Sequence, residues 1–322
     1  MPSLKEIKLR IASVKNTRKI TSAMKMVSSS KLHHAQVQIE NMLPYENMME
    51  HILKSFLASM PNTNTEFSKE RSEVKKVALI VFASNSSLCG SFNGNVLKLM
   101  LQAVDEYQHL GKENIIIYPI GRKVAEKVKK LGLFSAGDFI NLADKPNAHE
   151  CQVIAREIAL KFVKGEFDKV EMIYYHFKSA GTQVLTRKTF LPIDLSTEIG
   201  WSNDRDLSSN RVTAKAQEYL RKKNSKKGVK NIDAKPIHDN FIVEPNIKSV
   251  LETLIPKQLH LMLYTALLDS NASEHAARMV AMQTATDNAD ELLSSLNLQL
   301  NKGRQQAITN ELLDIVGGSV NN

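Results

Sequence analysis

Leu4, Ile7, Ile11 and Val14 recur at alternating spacings of three and four, the seam of a coiled coil. After Thr17 the apolar stripe continues through Ile20, Met24 and Val27 with a local change of phase, which alters winding without ending a helix. Pro2 suits a helix start, while Pro44 and then Pro61 with Asn62 bound the far end. The other end of the chain has the same texture. From Lys257 to Val316 there are 60 residues without proline, rich in strong helix formers and interrupted only by Gly303. Such a helix would be about 90 Å long, against about 8 to 20 residues for ordinary globular helices, so it must be paired along its length or threaded into a partner. It offers small residues at Ala277, Ala281, Ala285 and Ala289, then Leu292, Leu296 and Leu300, and finally Ile308, Leu312 and Ile315. Each rod is the natural partner of the other.

The middle of the chain switches period. Val77 to Ala83 is an apolar run of strand length, the turn-rich Ser84 to Asn95 follows, and a helix is predicted over Val96 to Leu110. Ile115 to Ile120 reads as a second strand, and Gly121 leads into a helix over Arg122 to Lys130. A helix over Glu150 to Val163 precedes strands over Val170 to Phe177 and Thr182 to Phe190. Alternating strands and helices imply an α/β layer with at least part of its sheet parallel. The expected organisation is a rod helix over 1–60, an α/β domain over 74–195, a polar basic insertion over 197–240, and a second rod over 246–318 that pairs with the first.

Charge changes the picture more through its placement than its size. The net charge is +9, but eight Lys or Arg stand against the single acid Glu6 between Met1 and Ala35. An acidic protein loop, an anionic membrane surface or nucleic acid could each answer such a helix. No helix-turn-helix, zinc finger or basic-zipper signature accompanies it. The segment Thr197 to Asn240, centred on the lysine-rich stretch Arg221 to Lys230, has the composition of a solvated insertion, with a short helix possible over Val212 to Lys223. No run of 18 or more apolar residues occurs, and the opening MPSLKEIKLR is read as carrying neither an export signal nor an organelle leader.

Candidate chemistry is thin. The turn Ser84 to Asn95 follows a strand and opens a helix, as a phosphate cradle does, but it lacks both Gly-Lys-Ser/Thr and G-x-G-x-x-G and is read as structural. His33, His34, His51, His149, His176, His238, His260 and His275 lack ligand spacing and are read mainly as surface or capping residues. Cys89 and Cys151 make no metal pattern and are read as small buried residues. No catalytic, cofactor-binding or metal residue is nominated. A stand-alone α/β enzyme with helical arms and a basic coiled-coil nucleic-acid binder are the readings that compete with a rod threaded into a partner.

The residues themselves then narrow the choice. Ile11-Ala12-Ser13-Val14-Lys15-Asn16-Thr17-Arg18-Lys19-Ile20-Thr21-Ser22-Ala23-Met24-Lys25-Met26-Val27 closely resembles the opening helix of the gamma subunits of F-type ATP synthases, bacterial type. Ala272 to Met279, Ala281-Met282, Ala285 to Ala289 and Asn301 to Glu311 resemble that family's carboxy-terminal signature, and Leu88-Cys89-Gly90, Phe92-Asn93, Gly121-Arg122-Lys123 and Glu244-Pro245 agree in order. The chain departs at Asn85-Ser86-Ser87, where many relatives carry Asp, a basic residue and Gly, at Asp314 and Val243, and in the length of the cysteine-free insertion.

The resemblance implies a non-catalytic central-stalk rotor. Its terminal helices would form an antiparallel coiled coil, with an inserted Rossmann-like α/β domain, inside a ring of alpha and beta subunits. It would also contact epsilon and the membrane c-ring, bind no cofactor or nucleic acid, and lie peripherally on the cytoplasmic side of the cell inner membrane. Proton flow would turn it and so drive ATP synthesis. The resemblance places head contacts at Arg18, Lys19, Met24, Lys25, Arg278, Arg304, Gln305 and Thr309.

Overall fold

The computed structural model describes residues 3–58, 67, 71, 73–193, 244 and 247–320. The predicted insertion over 197–240, its helix over 212–223, and the Pro61-Asn62 boundary lie outside the described residues. The chain divides into Met1–Ser29 with Arg278–Asn322, and Ser30–Ala277.

The larger unit is built on a five-stranded sheet in the order β3-β2-β1-β4-β5, with β1 Val77–Phe82, β2 Ile115–Ile120, β3 Phe134–Ser135, β4 Lys169–Ser179 and β5 Thr182–Leu191. Strands β1 to β4 run parallel, and β5 returns antiparallel on β4. Helices α2 (Phe92–Glu106), α3 (Arg122–Leu131), α4 (Ile140–Asp144) and α5 (Ala148–Val163) connect them. Alternation within β1 divides the core. Val77, Leu79 and Val81 pack with Val96 and Met100 of α2 and Val124 and Val128 of α3. Ala78, Ile80 and Phe82 face Ile154, Ile158 and Phe162 of α5, together with Leu53, Leu251, Ile255 and Leu259 from the long terminal helices. Burial on both faces is why β1 reads as an unbroken apolar run and not as an alternation.

Those long helices are α1 (Leu4–Ala58) and α6 (Ile247–Val320). Helix α1 passes through Pro44, one of the two prolines read as bounding its far end, and carries it within the helix. Pro44 lies on the exposed face, and Met49, His51 and Leu53 beyond it are buried, so packing of the last turns offsets the lost hydrogen bond. Gly121 sits where β2 turns into α3 at φ +108°, and a Cβ there would lie 2.1 Å from the carbonyl oxygen of Ala83, so no larger residue fits.

Most of the predicted elements match to within a few residues, with differences of physical interest. Helix α2 begins at Phe92 instead of Val96, and the two short elements β3 and α4 have no counterpart in the prediction. The histidines are less superficial than expected. His51 and His275 are buried, the imidazole Nδ1 of His176 lies 2.9 Å from Oδ2 of Asp269, and Nε2 of His260 lies 2.7 Å from the carbonyl oxygen of Ala148. Cys89 and Cys151 are buried free thiols, and burial pushes the Cys151 thiol up to about 12.

Candidate functional site

The smaller unit is a helix pair, and three contacts fix its direction. Gly303 faces Leu4, where an added Cβ would stand 3.1 Å from a Leu4 methyl. Asp290 pairs with the guanidinium of Arg18, and Thr286 shares a 2.8 Å hydroxyl contact with Thr21. Numbers rise along one helix as they fall along the other, so the pair is antiparallel.

Burial along α1 shows how the seam continues. Leu4, Ile7, Ile11 and Val14 are buried or half-buried, and then Thr21, Lys25 and Ser28 take the inward positions at the same alternating spacing. The expected phase change through Ile20 and Val27 does not occur. Ile20 is 60% exposed and Val27 57% exposed, while Thr21 and Ser28 are buried. The heptad is kept, and polar side chains fill it. On α6 the inward positions include Met282, Ala289, Leu296, Leu300, Gly303 and Ala307. Beyond them the predicted stripe fails, because Ile308, Leu312 and Ile315 are exposed. Gly303 already faces Leu4, the first residue of α1, which leaves those side chains past the end of the pairing helix.

The eight residues singled out from the sequence fall into two groups on this pair. Arg18, Lys19, Met24 and Lys25 lie on α1, with Arg18 drawn sideways to Asp290, Met24 and Lys25 half-buried, and Lys19 exposed. Arg278 is buried on α6. Arg304, Gln305 and Thr309 are exposed near the end of α6, and the Thr309 hydroxyl donates to the Gln305 carbonyl oxygen at 2.9 Å. That bond uses the only hydroxyl proton of Thr309, so toward a partner Thr309 can only accept, while the Gln305 amide offers both donor and acceptor. Sequence reasoning missed Asp290, Thr21 and Thr286. A strict count of three and four onward from Val14 lands on Arg18 and Thr21, whereas following apolarity leads off the seam.

The turn after β1 is held by its own side chains. Asn93 donates from Nδ2 to Ser84 Oγ at 2.7 Å and to Cys89 Sγ at 3.1 Å, and the Ser84 hydroxyl bonds the Ser86 carbonyl oxygen at 2.6 Å. Asn85 Oδ1 accepts from the Arg122 backbone N–H at 2.8 Å, at the start of α3, and Asn85 Nδ2 donates to the Ile140 carbonyl oxygen at 2.8 Å. The Asn85 amide thus ties this turn to the start of α3 and to the start of α4. Phe92 stacks on Tyr175 at 4.7 Å beside this turn.

An ionic cluster around the buried Glu171 ties β4 and β5 to the end of α2. Glu171 accepts from Arg187 Nε at 2.7 Å and from the Tyr107 hydroxyl at 2.9 Å, and pairs with Lys169 at 3.0 Å; Arg187 also reaches Glu106 at 2.7 Å. Burial pushes the Glu171 carboxyl up, but the hydrogen bonds from Arg187 and Lys169 outweigh it and hold the group below the usual carboxylate range. Asp168 behaves alike. Burial opposes its charge, and the backbone N–H groups of Lys76 and Lys75 with the Arg71 guanidinium lower it on balance.

Comparison with known proteins covers this whole arrangement. A family model described as ATP synthase matches residues 3–320. A protein named ATP synthase gamma chain from Phocaeicola vulgatus is 52% identical over 320 residues, covering 99% of this chain and 100% of that protein. One of the same name from Bacteroides fragilis is 51% identical over 320 residues with the same coverage. Among solved structures, a chain of the Euglena gracilis mitochondrial ATP synthase, OSCP/F1/c-ring, aligns with a TM-score of 0.57 at 15% identity, over 98% of this chain and 93% of that one.

Proposed function

The chain belongs to the ATP synthase gamma-chain family, and from that membership we propose that it is the central-stalk rotor of a proton-translocating F-type ATP synthase. In this reading the antiparallel helix pair is the shaft. It stands within a head of alpha and beta subunits, and the α/β unit joins epsilon and the membrane c-ring. The chain performs no chemistry itself. It transmits rotation driven by proton flow to nucleotide sites carried on beta. None of the described helices is long and apolar enough to cross a membrane, which suits a subunit held peripherally at the cytoplasmic side of the inner membrane through its partners.

The observation that carries this reading is likeness to gamma chains over the full length at about half identity, together with a paired coil whose last turns remain uncovered. A shaft must resist twisting. Interdigitated seam residues supply that resistance, because twisting one helix against the other disturbs contacts along the whole seam. One charge crossing 100 mV yields only about 2.3 kcal/mol, so several crossings must be summed mechanically before one nucleotide site is driven. Head contacts are placed at Arg18, Lys19, Met24, Lys25, Arg278, Arg304, Gln305 and Thr309. Arg304, Gln305 and Thr309 support this best, being exposed within about one and a half turns. Affinity purification through a tag on this chain from native membranes tests the assignment. Recovery of an ATPase with alpha, beta, epsilon and c-ring subunits is expected, and recovery of the chain without an ATPase would refute it.

A further inference from the structure

Strand β4 outruns its parallel neighbour. Strand β1 pairs with β4 only from Lys169 to Ile173, and the remaining residues of β4 pair with β5 alone, His176 lying opposite Val184. A two-stranded arm of this kind is marginal by itself and takes its stability from what covers it. Its cover here includes α6. His176 lies on the same face of β4 as Val170, Met172 and Tyr174, and those residues share a core with Leu259, Leu263, Ala266 and Leu267 of α6. One helical step further on, Asp269 receives His176 at 2.9 Å, with its own side chain 1% exposed. A carboxylate only accepts, so Nδ1 of His176 carries the proton of this bond. Ser273, one turn beyond, places its hydroxyl 3.5 Å from the Tyr175 carbonyl oxygen on the same arm.

Interdigitated apolar contacts resist the sliding of a helix over a sheet, but they tie no single donor to a single acceptor. A buried hydrogen bond does, since its geometry is met at one placement of the two groups. We propose that His176 and Asp269 are positioning residues that key the β4–β5 arm to α6, so that torque entering the α/β unit turns α6 without slip. The proposal rests on the rotor reading and adds to it a specific pair through which load passes. The ionic cluster at Glu171 is of a different kind, joining strands and α2 within the sheet layers and not reaching α6.

The test uses the complete membrane enzyme. A probe fixed to an exposed site of the α/β unit, with the head immobilised, reports angular fluctuation during dwells, and proton pumping per ATP hydrolysed is measured on the same preparations. In His176→Leu the angular variance should rise at least about twofold as the anchoring bond is lost and the arm opens locally, and pumping per ATP should fall. His176→Asn, whose amide can occupy the Nδ1 position as a donor, should restore both. A role confined to stability would lower the yield of assembled enzyme and leave variance and coupling of the assembled fraction unchanged, which overturns the proposal. Should His176→Leu fail to assemble, His176→Ala carries the same comparison. A wild-type probe that never turns refutes the rotor reading, whereas wild-type variance in a turning His176→Leu enzyme refutes the key alone.

Discussion

Thr21 and Thr286 meet hydroxyl to hydroxyl at 2.8 Å inside the paired helices, at seam positions where apolar side chains usually sit. Each also lies within reach of a carbonyl of its own helix, Thr21 of Arg18 at 3.0 Å and Thr286 of Met282 at 2.8 Å. A hydroxyl has one proton, so only one of the two donates across the seam while the other donates to its own backbone. The contact is therefore satisfied from either side and can exchange donors without breaking. That is a soft element in the polar stretch of the seam, bordered by the ion pair of Arg18 with Asp290.

Replacing both hydroxyls should be nearly neutral for stability. Thr21→Val alone leaves Thr286 its backbone acceptor, so the loss should stay below about 1 kcal/mol, and Thr21→Val with Thr286→Val should recover it or gain slightly. A double-mutant cycle by urea unfolding of the purified chain measures the coupling. A coupling above about 1.5 kcal/mol, the upper range for a net hydrogen bond, would contradict this account.

Asn85 bonds both the Arg122 N–H and the Ile140 carbonyl, its amide supplying the acceptor for one and the donor for the other. Asn85→Asp should keep the first bond and lose the second, setting a carboxylate against a carbonyl oxygen, at a cost of about 1 to 3 kcal/mol. Thermal unfolding should show a lowered midpoint. An unchanged midpoint would show that the Ile140 contact contributes nothing.

Acid should weaken the α/β unit through Glu171. Its folded carboxyl titrates below its ordinary value of 4.5, so its stabilisation is complete above that value and is lost as pH falls through the lower folded value. Asp168, also depressed, acts in the same direction below 3.8. Urea unfolding from pH 7 downward should show stability falling from near pH 4.5. Glu171→Gln should remove on the order of 2 kcal/mol at neutral pH and flatten that fall. A mutant curve parallel to the wild type would assign the acid sensitivity elsewhere.

How much of this could be read from residues alone depended on what filled each position. Strands β1 and β2 were legible because burial on both faces demands continuous apolar runs of fixed length. Strand β3 and helix α4 were not, since two and five residues carry no measurable period. The seam was legible to Val14 and then misread, because Thr21 and Ser28 hold its inward positions while Ile20 and Val27 face out. Ile308, Leu312 and Ile315 keep helical spacing but lie beyond the partner helix, a limit set by where α1 begins. Among the proposed contacts, nothing in the sequence indicated that Arg18 pairs with Asp290.

Gln305 and Thr309 share a face at a spacing of four, with Arg304 beside it. Gln305→Ala with Thr309→Val should leave the subunit folded, as exposed substitutions usually change stability by less than about 0.5 kcal/mol. In the assembled enzyme the pair should markedly lower ATP synthesis and steady ATPase turnover. Normal rates in a fully assembled double mutant would remove these residues from the head contact.

Rotation of the chain itself is the most direct measurement. Lys112 is exposed, and the native thiols Cys89 and Cys151 are buried, so Lys112→Cys offers a selective site for a bead on the α/β unit. With the head of the purified enzyme fixed to a surface, ATP should drive the bead through full turns in one direction. A bead that stays at a fixed angle while the same molecules hydrolyse ATP would contradict the rotor account.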